Sequence, residues 1–326
     1  MTGMDTAAVY AQFAESQALN GGSPTYQDWA RGIAADPELR ALLDTLPPAK
    51  RQPNLLFAAA RLVGAPSAGW AEVRPWLLAA WDDVEREMRT RTTQTNEPRR
   101  CATFLPTLAA LDSPVALIEV GASAGLCLCP DRYSYLYTSP DGTRTRVDPA
   151  DGPSEVLLHC AIEGPAPERM PEIVWRAGLD LNPLDVRDPA DLAWLEALVW
   201  PEHADRVETL RAAARVVASD PPRVVEGDLL VGLRDLVDAA PAEATVVVLH
   251  SAVLYYLTEP DRSTFAGLMS DLRRSRGVVW LSNEGWTVLP DVAAQLPEGL
   301  SPQFILAEDG APVALTDPHG RSVRLL

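Results

Sequence analysis

Ile118-Glu119-Val120-Gly121-Ala122-Ser123-Ala124-Gly125-Leu126 decides the fold. Its first half closes a short apolar run, Ala116 to Val120, that reads as a buried strand. Gly121 and Gly125 then permit a tight turn and close backbone approach. A helix is expected directly after the turn, and its free amide groups suit an anionic or polar ligand. The spacing disfavours one ligand at once. The third glycine of Gly-x-Gly-x-x-Gly would fall at Leu126, so a dinucleotide pyrophosphate site does not fit.

Working outward, four more β-branched runs follow at 173–179, 223–226, 245–250 and 277–282. Helical stretches at 194–217, 229–237 and 262–274 separate them. Such alternation predicts an α/β fold with a mainly parallel, Rossmann-like sheet, helix-covered on both faces. The expected spatial order is third, second, first, fourth, fifth. Phe304-Ile305-Leu306 and Val313-Ala314-Leu315, joined through Asp309-Gly310, predict a terminal antiparallel hairpin beside the fifth strand, with Val323-Arg324-Leu325 after it. Turn signals at Pro140-Asp141-Gly142 and Asp151-Gly152-Pro153 mark 133–163 as a β insertion. Before residue 112 the apolar residues recur at helical spacing, as in Leu55, Leu56, Ala59, Leu62 and Val63. The reading is therefore a helical cap over 1–111 and an α/β domain over 112–326.

Composition narrows the partners. With 47% hydrophobic residues in 326, the chain can bury a large core. No apolar run approaches the roughly 20 residues of a membrane span, and no leader-like segment opens the sequence, so a cytoplasmic protein is expected. Lys plus Arg is 28 against 45 Asp plus Glu, a net charge of −17 that repels nucleic acid and anionic lipid. Lys50 is the one lysine and sits between proline-rich stretches, a poor place for Schiff-base chemistry. Cys101, Cys127, Cys129 and Cys160 lack metal-ligand spacing and read as buried free thiols, so no metal is expected.

The acid-apolar-Gly-x-Ser-x-Gly pattern resembles the first motif of class I S-adenosylmethionine-dependent methyltransferases. That resemblance implies S-adenosylmethionine as cofactor, with Glu119 facing the methionine amino group and Gly121, Ala122, Ser123 and Gly125 passing under the ligand. Ser123 stands where the middle glycine is usual. Two later strand ends support the reading: Asp180-Leu181, where a carboxylate can take ribose hydroxyls, and Asp228-Leu229, where an acid can take the adenine amino group. Either aspartate could instead be an ordinary helix cap. His250, ending the fourth strand, is the candidate general base, with Glu284 after the fifth strand in the same catalytic cleft; His250 reads equally as a histidine that closes the strand and hydrogen-bonds a neighbouring loop. Two alternatives stay open. Gly-x-Ser-x-Gly is also the nucleophile elbow of serine hydrolases, with Ser123 attacking and His250 or His319 as base. The other is a non-catalytic nucleotide-binding or regulatory protein.

Along nearly its whole length the chain also resembles a bacterial family of unknown function. The matching residues are Gln94-Thr95-Asn96-Glu97 with Arg100-Cys101, the glycine turn, Asp131-Arg132-Tyr133, Arg176 to Pro183, Trp194-Leu195, Trp200-Pro201-Glu202 and Gly227-Asp228. Cys127, Leu128 and Cys129 depart from the expected asparagine and larger apolar residues. The resemblance supports Gln94, Asn96, Glu97 and Arg100 folding over the ligand edge to contact substrate, with Tyr133 beside them. The expected acceptor is a small molecule or a peptide group.

Overall fold

The computed structural model describes residues 5–300 and 302–326. The described residues form two compact units, one up to Thr95 with Arg187–Glu208, and the other Asn96–Val186 with the described residues from Thr209 to Leu326.

The first unit is helical: α1 (Thr6–Phe13), α2 (Pro24–Ala35), α3 (Pro37–Asp44), α4 (Pro53–Val63), α5 (Trp70–Ala79) and α6 (Trp81–Thr90). Prolines open α2, α3 and α4 at positions where a missing N–H costs nothing. Ser23 caps α2 through the Tyr26 amide, and Asp36 caps α3 through Glu38 and Leu39. Tyr10, Phe13, Tyr26, Trp29, Phe57 and Trp200 pack their rings together as its core.

The second unit holds α7 (Cys101–Ala109) and eleven strands: β1 (Val115–Val120), β2 (Ser134–Thr138), β3 (Arg144–Val147), β4 (Leu157–Glu163), β5 (Ile173–Asp180), β6 (Arg223–Glu226), β7 (Thr245–Ser251), β8 (Val279–Gly285), β9 (Phe304–Glu308), β10 (Ala311–Thr316) and β11 (Ser322–Leu325). They make one mixed sheet in the order β3-β2-β4-β11-β10-β9-β8-β7-β1-β5-β6. The parallel run β6-β5-β1-β7-β8 carries the five strands in the predicted spatial order, and the antiparallel β9 and β10 extend it beyond β8. Helices α10 (Leu229–Ala239) and α11 (Glu259–Arg276) supply Leu233, Leu236, Val237, Phe265, Met269 and Leu272 to a core with Ile118, Val120, Val246 and Val248. On β1 that core takes Ala116, Ile118 and Val120, so Glu119 faces the other side of the sheet.

Four expectations change. The helix predicted over 194–217 is two, α8 (Pro189–Leu198) and α9 (Ala204–Ser219), broken at Trp200-Pro201. The units divide at 95/96 rather than 111/112, because Pro98–Arg100 and α7 pack on β4 and β11. Residues 187–208 join the helical unit, whose core Trp200 completes. The insertion strands pair beyond the terminal hairpin, β4 lying parallel to β11.

A fifth change bears on the site. No α-helix follows the glycine turn; the chain makes two short 3-10 turns, Leu126–Leu128 and Pro130–Arg132. Pro130 cannot donate to a continuing helix, and buried side chains hold the segment instead. Tyr133 and Tyr135 hydroxyls donate to the carbonyls of Leu126 and Pro130 at 2.8 and 2.6 Å. Arg176 forks onto both oxygens of Asp131 and reaches the Leu128 carbonyl.

Candidate functional site

The carboxyl ends of β1, β5, β6, β7 and β8 bring most of the sequence-predicted residues to one edge of the sheet, the edge where ligands bind in open α/β folds. The turn after β1 hydrogen-bonds to its neighbour strand: the amides of Gly121 and Ala122 both donate to the Leu179 carbonyl. Gly121, Ser123 and Gly125 all take positive φ, at 73°, 50° and 73°. For serine that backbone is uncommon, and Asp180 supports it: one carboxylate oxygen accepts the Ser123 amide at 2.8 Å, the other the Asn182 amide at 2.8 Å. The Asp180 carbonyl takes the Gly227 amide at 2.9 Å and so joins the ends of β5 and β6.

The two glycines are needed by the protein's own packing. A Cβ on Gly121 would lie 2.3 Å from Val253, and one on Gly125 would lie 2.7 Å from Pro222. The space over Gly121 therefore belongs to the loop after β7. What stays open is the neighbouring rim, where Leu181 is 65% exposed beside the half-buried Asp180. Leu229 is half-buried, and Asp228 is exposed and accepts the Leu230 amide as the N-cap of α10, the bland role open to it from sequence.

Glu119 is the anomaly of the site. Its carboxyl is buried, and Oε2 has no hydrogen-bond partner among the described residues. Burial pushes its pKa well above the ordinary glutamate value; the nearby Cys127 and Asp180 add to this, and the Arg100 guanidinium opposes it. The folded chain thus keeps a proton that an unfolded glutamate releases near pH ~4.3, so stability falls as pH rises from that value toward the folded pKa. As pH rises above the ordinary glutamate range, thermal melts of the wild type should decline more steeply than those of Glu119→Gln, which has no proton to lose. Equal slopes would mean that Glu119 ionises freely.

Arg100 is buried, donating from Nε to the Pro318 carbonyl (2.8 Å) and from Nη1 to the Ser251 carbonyl (3.1 Å). Glu97 accepts the Arg99 amide, and its carbonyl takes the Cys127 thiol. Asn96 lies beside it, its buried Nδ2 without a partner. Gln94 falls in the helical unit. Among the described residues no three metal-ligating side chains cluster.

Two predicted roles do not survive the geometry. Tyr133 is fully buried with its hydroxyl committed to Leu126, so it holds the loop rather than meeting a substrate. His250 is also fully buried: Nδ1 lies 2.7 Å from Glu284 Oε1, and Nε2 accepts the Trp280 indole N–H at 2.9 Å. Because tryptophan only donates, the ring proton must sit on Nδ1 and point at Glu284. Neither nitrogen is left to take a proton from a substrate. Glu284 Oε1 also accepts the amides of Val253 and Leu254, so the pair anchors the loop after β7; Glu284 Oε2 is buried without a partner. Trp280 was missed because it reads as strand core. The structure also adds a polar chain absent from the predicted site: Thr316 donates to Asn283, and Asn283 to Ser251.

A groove of about 580 Å³ crosses β2, β4 and β11, lined by Thr138, Glu163, Asp317 and Arg324 among others, and none of the predicted site residues lines it.

A family model described as an uncharacterised protein conserved in bacteria (DUF2332) matches residues 7–324. No curated protein matches the chain. Among the described residues no helix is long and apolar enough to cross a membrane.

Proposed function

The chain belongs to that bacterial family, and from this premise we propose that it binds S-adenosylmethionine at the carboxyl edge of its sheet and passes the methyl group to a small-molecule or peptide acceptor. One observation carries the reading: the unpartnered Glu119 Oε2 beside the glycine turn. A buried acceptor without a donor is costly, and a ligand ammonium would supply the donor and the countercharge together. The neighbouring groups fit the rest of such a ligand. Each Asp180 oxygen accepts one amide and has capacity for a ribose hydroxyl. Exposed Leu181 offers an apolar face to a purine, and Asp228 has a second oxygen beyond the one in its cap.

The bound cofactor supplies an electrophilic methyl group; the residues here bind and orient. With His250 locked between Trp280 and Glu284, the reading assigns no histidine base. That engagement also favours a second reading, binding without turnover, which a single methylated product from an acceptor panel would end. The serine hydrolase alternative loses its His250 base by the same geometry.

Calorimetric titration with S-adenosylmethionine tests the proposal. Saturable binding is expected, weakened about tenfold in Glu119→Gln, which is about 1.4 kcal/mol. Binding an ammonium draws the proton off Glu119, so affinity should rise with pH toward its raised pKa. Absence of binding to the wild type would overturn the reading.

A further inference from the structure

Arg100 poses a question that the proposed function leaves unanswered. Arg100 is buried, yet among the described residues no carboxylate lies within ion-pair distance of it. It spends Nε and Nη1 on two backbone carbonyls, and among the described residues Nη2 has no hydrogen-bond partner, leaving it a donor for a ligand. A buried cation without a counterion is expensive, and two carbonyl dipoles offset only part of that cost. Two other unsatisfied groups belong to the same neighbourhood. Asn96 Nδ2 is a buried donor without an acceptor, and Glu119 Oε2 is a buried acceptor without a donor.

The chain ties these three groups together. The Arg100 amide donates to the Glu97 carbonyl at 3.1 Å. The Cys127 thiol donates to that same carbonyl at 3.5 Å, and Asn96 is the residue before it. Cys127 and Arg100 both act electrostatically on Glu119. Spare donors and a cation therefore gather on the segment 96–100, and a spare carboxyl acceptor stands at the end of β1 within electrostatic reach of Arg100. Direct pairing of Arg100 with Glu119 would have satisfied both charges, and they stand too far apart for it.

We infer that Arg100 and Asn96 bind the carboxylate, and Glu119 the ammonium, of a zwitterionic amino-acid end on the ligand. The inference rests on the proposed function and goes beyond it by naming the specificity element. The segment 96–100 recognises the α-carboxylate, so the protein selects ligands that carry an intact amino acid over those that carry only the nucleoside. It also gives Asn96 and Arg100 a function in binding rather than in loop capping.

The test is calorimetric titration of the full chain with three probes: S-adenosylmethionine, its decarboxylated form, and methylthioadenosine, which lacks the whole amino-acid end. Wild type should bind S-adenosylmethionine at least about tenfold more tightly than either other probe. Asn96→Ala should lose about tenfold for S-adenosylmethionine and stay within about twofold for the decarboxylated form, because the group it contacts is absent there. Arg100→Gln should show the same selective loss, with thermal melts confirming a folded protein. If Arg100→Gln fails to fold, Asn96→Ala alone decides. Tight and equal binding of methylthioadenosine would overturn the zwitterion clamp while leaving the proposed cofactor standing. Equal losses for S-adenosylmethionine and its decarboxylated form in Asn96→Ala would also overturn it. Failure of all three probes to bind wild type would remove the proposed function, and the clamp with it.

Discussion

Asp180→Ala should weaken S-adenosylmethionine binding by tenfold or more and lower stability in the same protein. Both effects follow from one carboxylate serving two purposes. Its oxygens receive the amides of Ser123 and Asn182, each at 2.8 Å, and hydrogen bonds to a charged group contribute about 1.5–3 kcal/mol apiece. Alanine removes both. The site is only half-buried, so water reaches the freed amides, and a net loss of about 2 kcal/mol is expected rather than the sum. Ser123 would also lose the support for its positive φ, and the rim that meets the ligand would loosen with it. Chemical denaturation reads the stability change, and calorimetry well below the transition reads the affinity. Asp180→Asn can accept one amide but turns an NH₂ toward the other, so it should fall nearly as far. Asp228→Ala is the contrast. It loses an exposed cap, with a stability cost of about 1 kcal/mol and a smaller change in affinity. A destabilised Asp180→Ala that binds normally would reduce Asp180 to a clamp on the turn.

The five parallel strands were legible because each is a β-branched or apolar run bounded by turn residues, and their order followed from strand–helix alternation. The glycine turn was legible too, but its consequence was not. A helix was the natural continuation of Gly121–Gly125, and nothing in Leu126-Cys127-Leu128-Cys129 forbids one. Pro130 cannot donate to its continuation, and the rest of the cause lies elsewhere in the chain: Arg176 on β5 grips Asp131 and the Leu128 carbonyl, and Tyr133 and Tyr135 reach back from the insertion. Tertiary contacts override local propensity in such a segment. Candidate residues were found by type and strand-end position, and that rule cannot distinguish an open side chain from a locked one. Asp180 and His250 looked alike by it. One faces an exposed rim beside Leu181, and the other is enclosed. A finer signal was present. In β8, Trp280, Ser282 and Glu284 share a face by period-two alternation, and His250 is in register with Ser282. That register alone would place the imidazole between an indole N–H and a carboxylate.

His250→Ala should be the most destabilising single change at this edge, by about 3–5 kcal/mol, the range for breaking a buried, hydrogen-bonded polar pair. The imidazole is fully enclosed and packs against Phe265 as well as Trp280, so its removal leaves a cavity. It also strands two polar groups, the Trp280 indole N–H and the Glu284 carboxylate, which loses its side-chain donor while still holding the amides of Val253 and Leu254. The loop after β7 is fixed through that carboxylate, and Val253 covers Gly121. Ligand affinity should therefore fall through displacement of the loop. His250→Gln distinguishes this positioning role from acid–base chemistry. A glutamine amide can donate to Glu284 and accept from Trp280, yet it cannot take a proton near neutral pH. The glutamine variant should recover a large part of the lost stability, bind ligand close to wild type, and show an unchanged pH profile for any methyl transfer. A stable, ligand-binding His250→Gln with turnover abolished would instead return the histidine to the chemistry, and would mean that the Trp280 contact opens when an acceptor arrives.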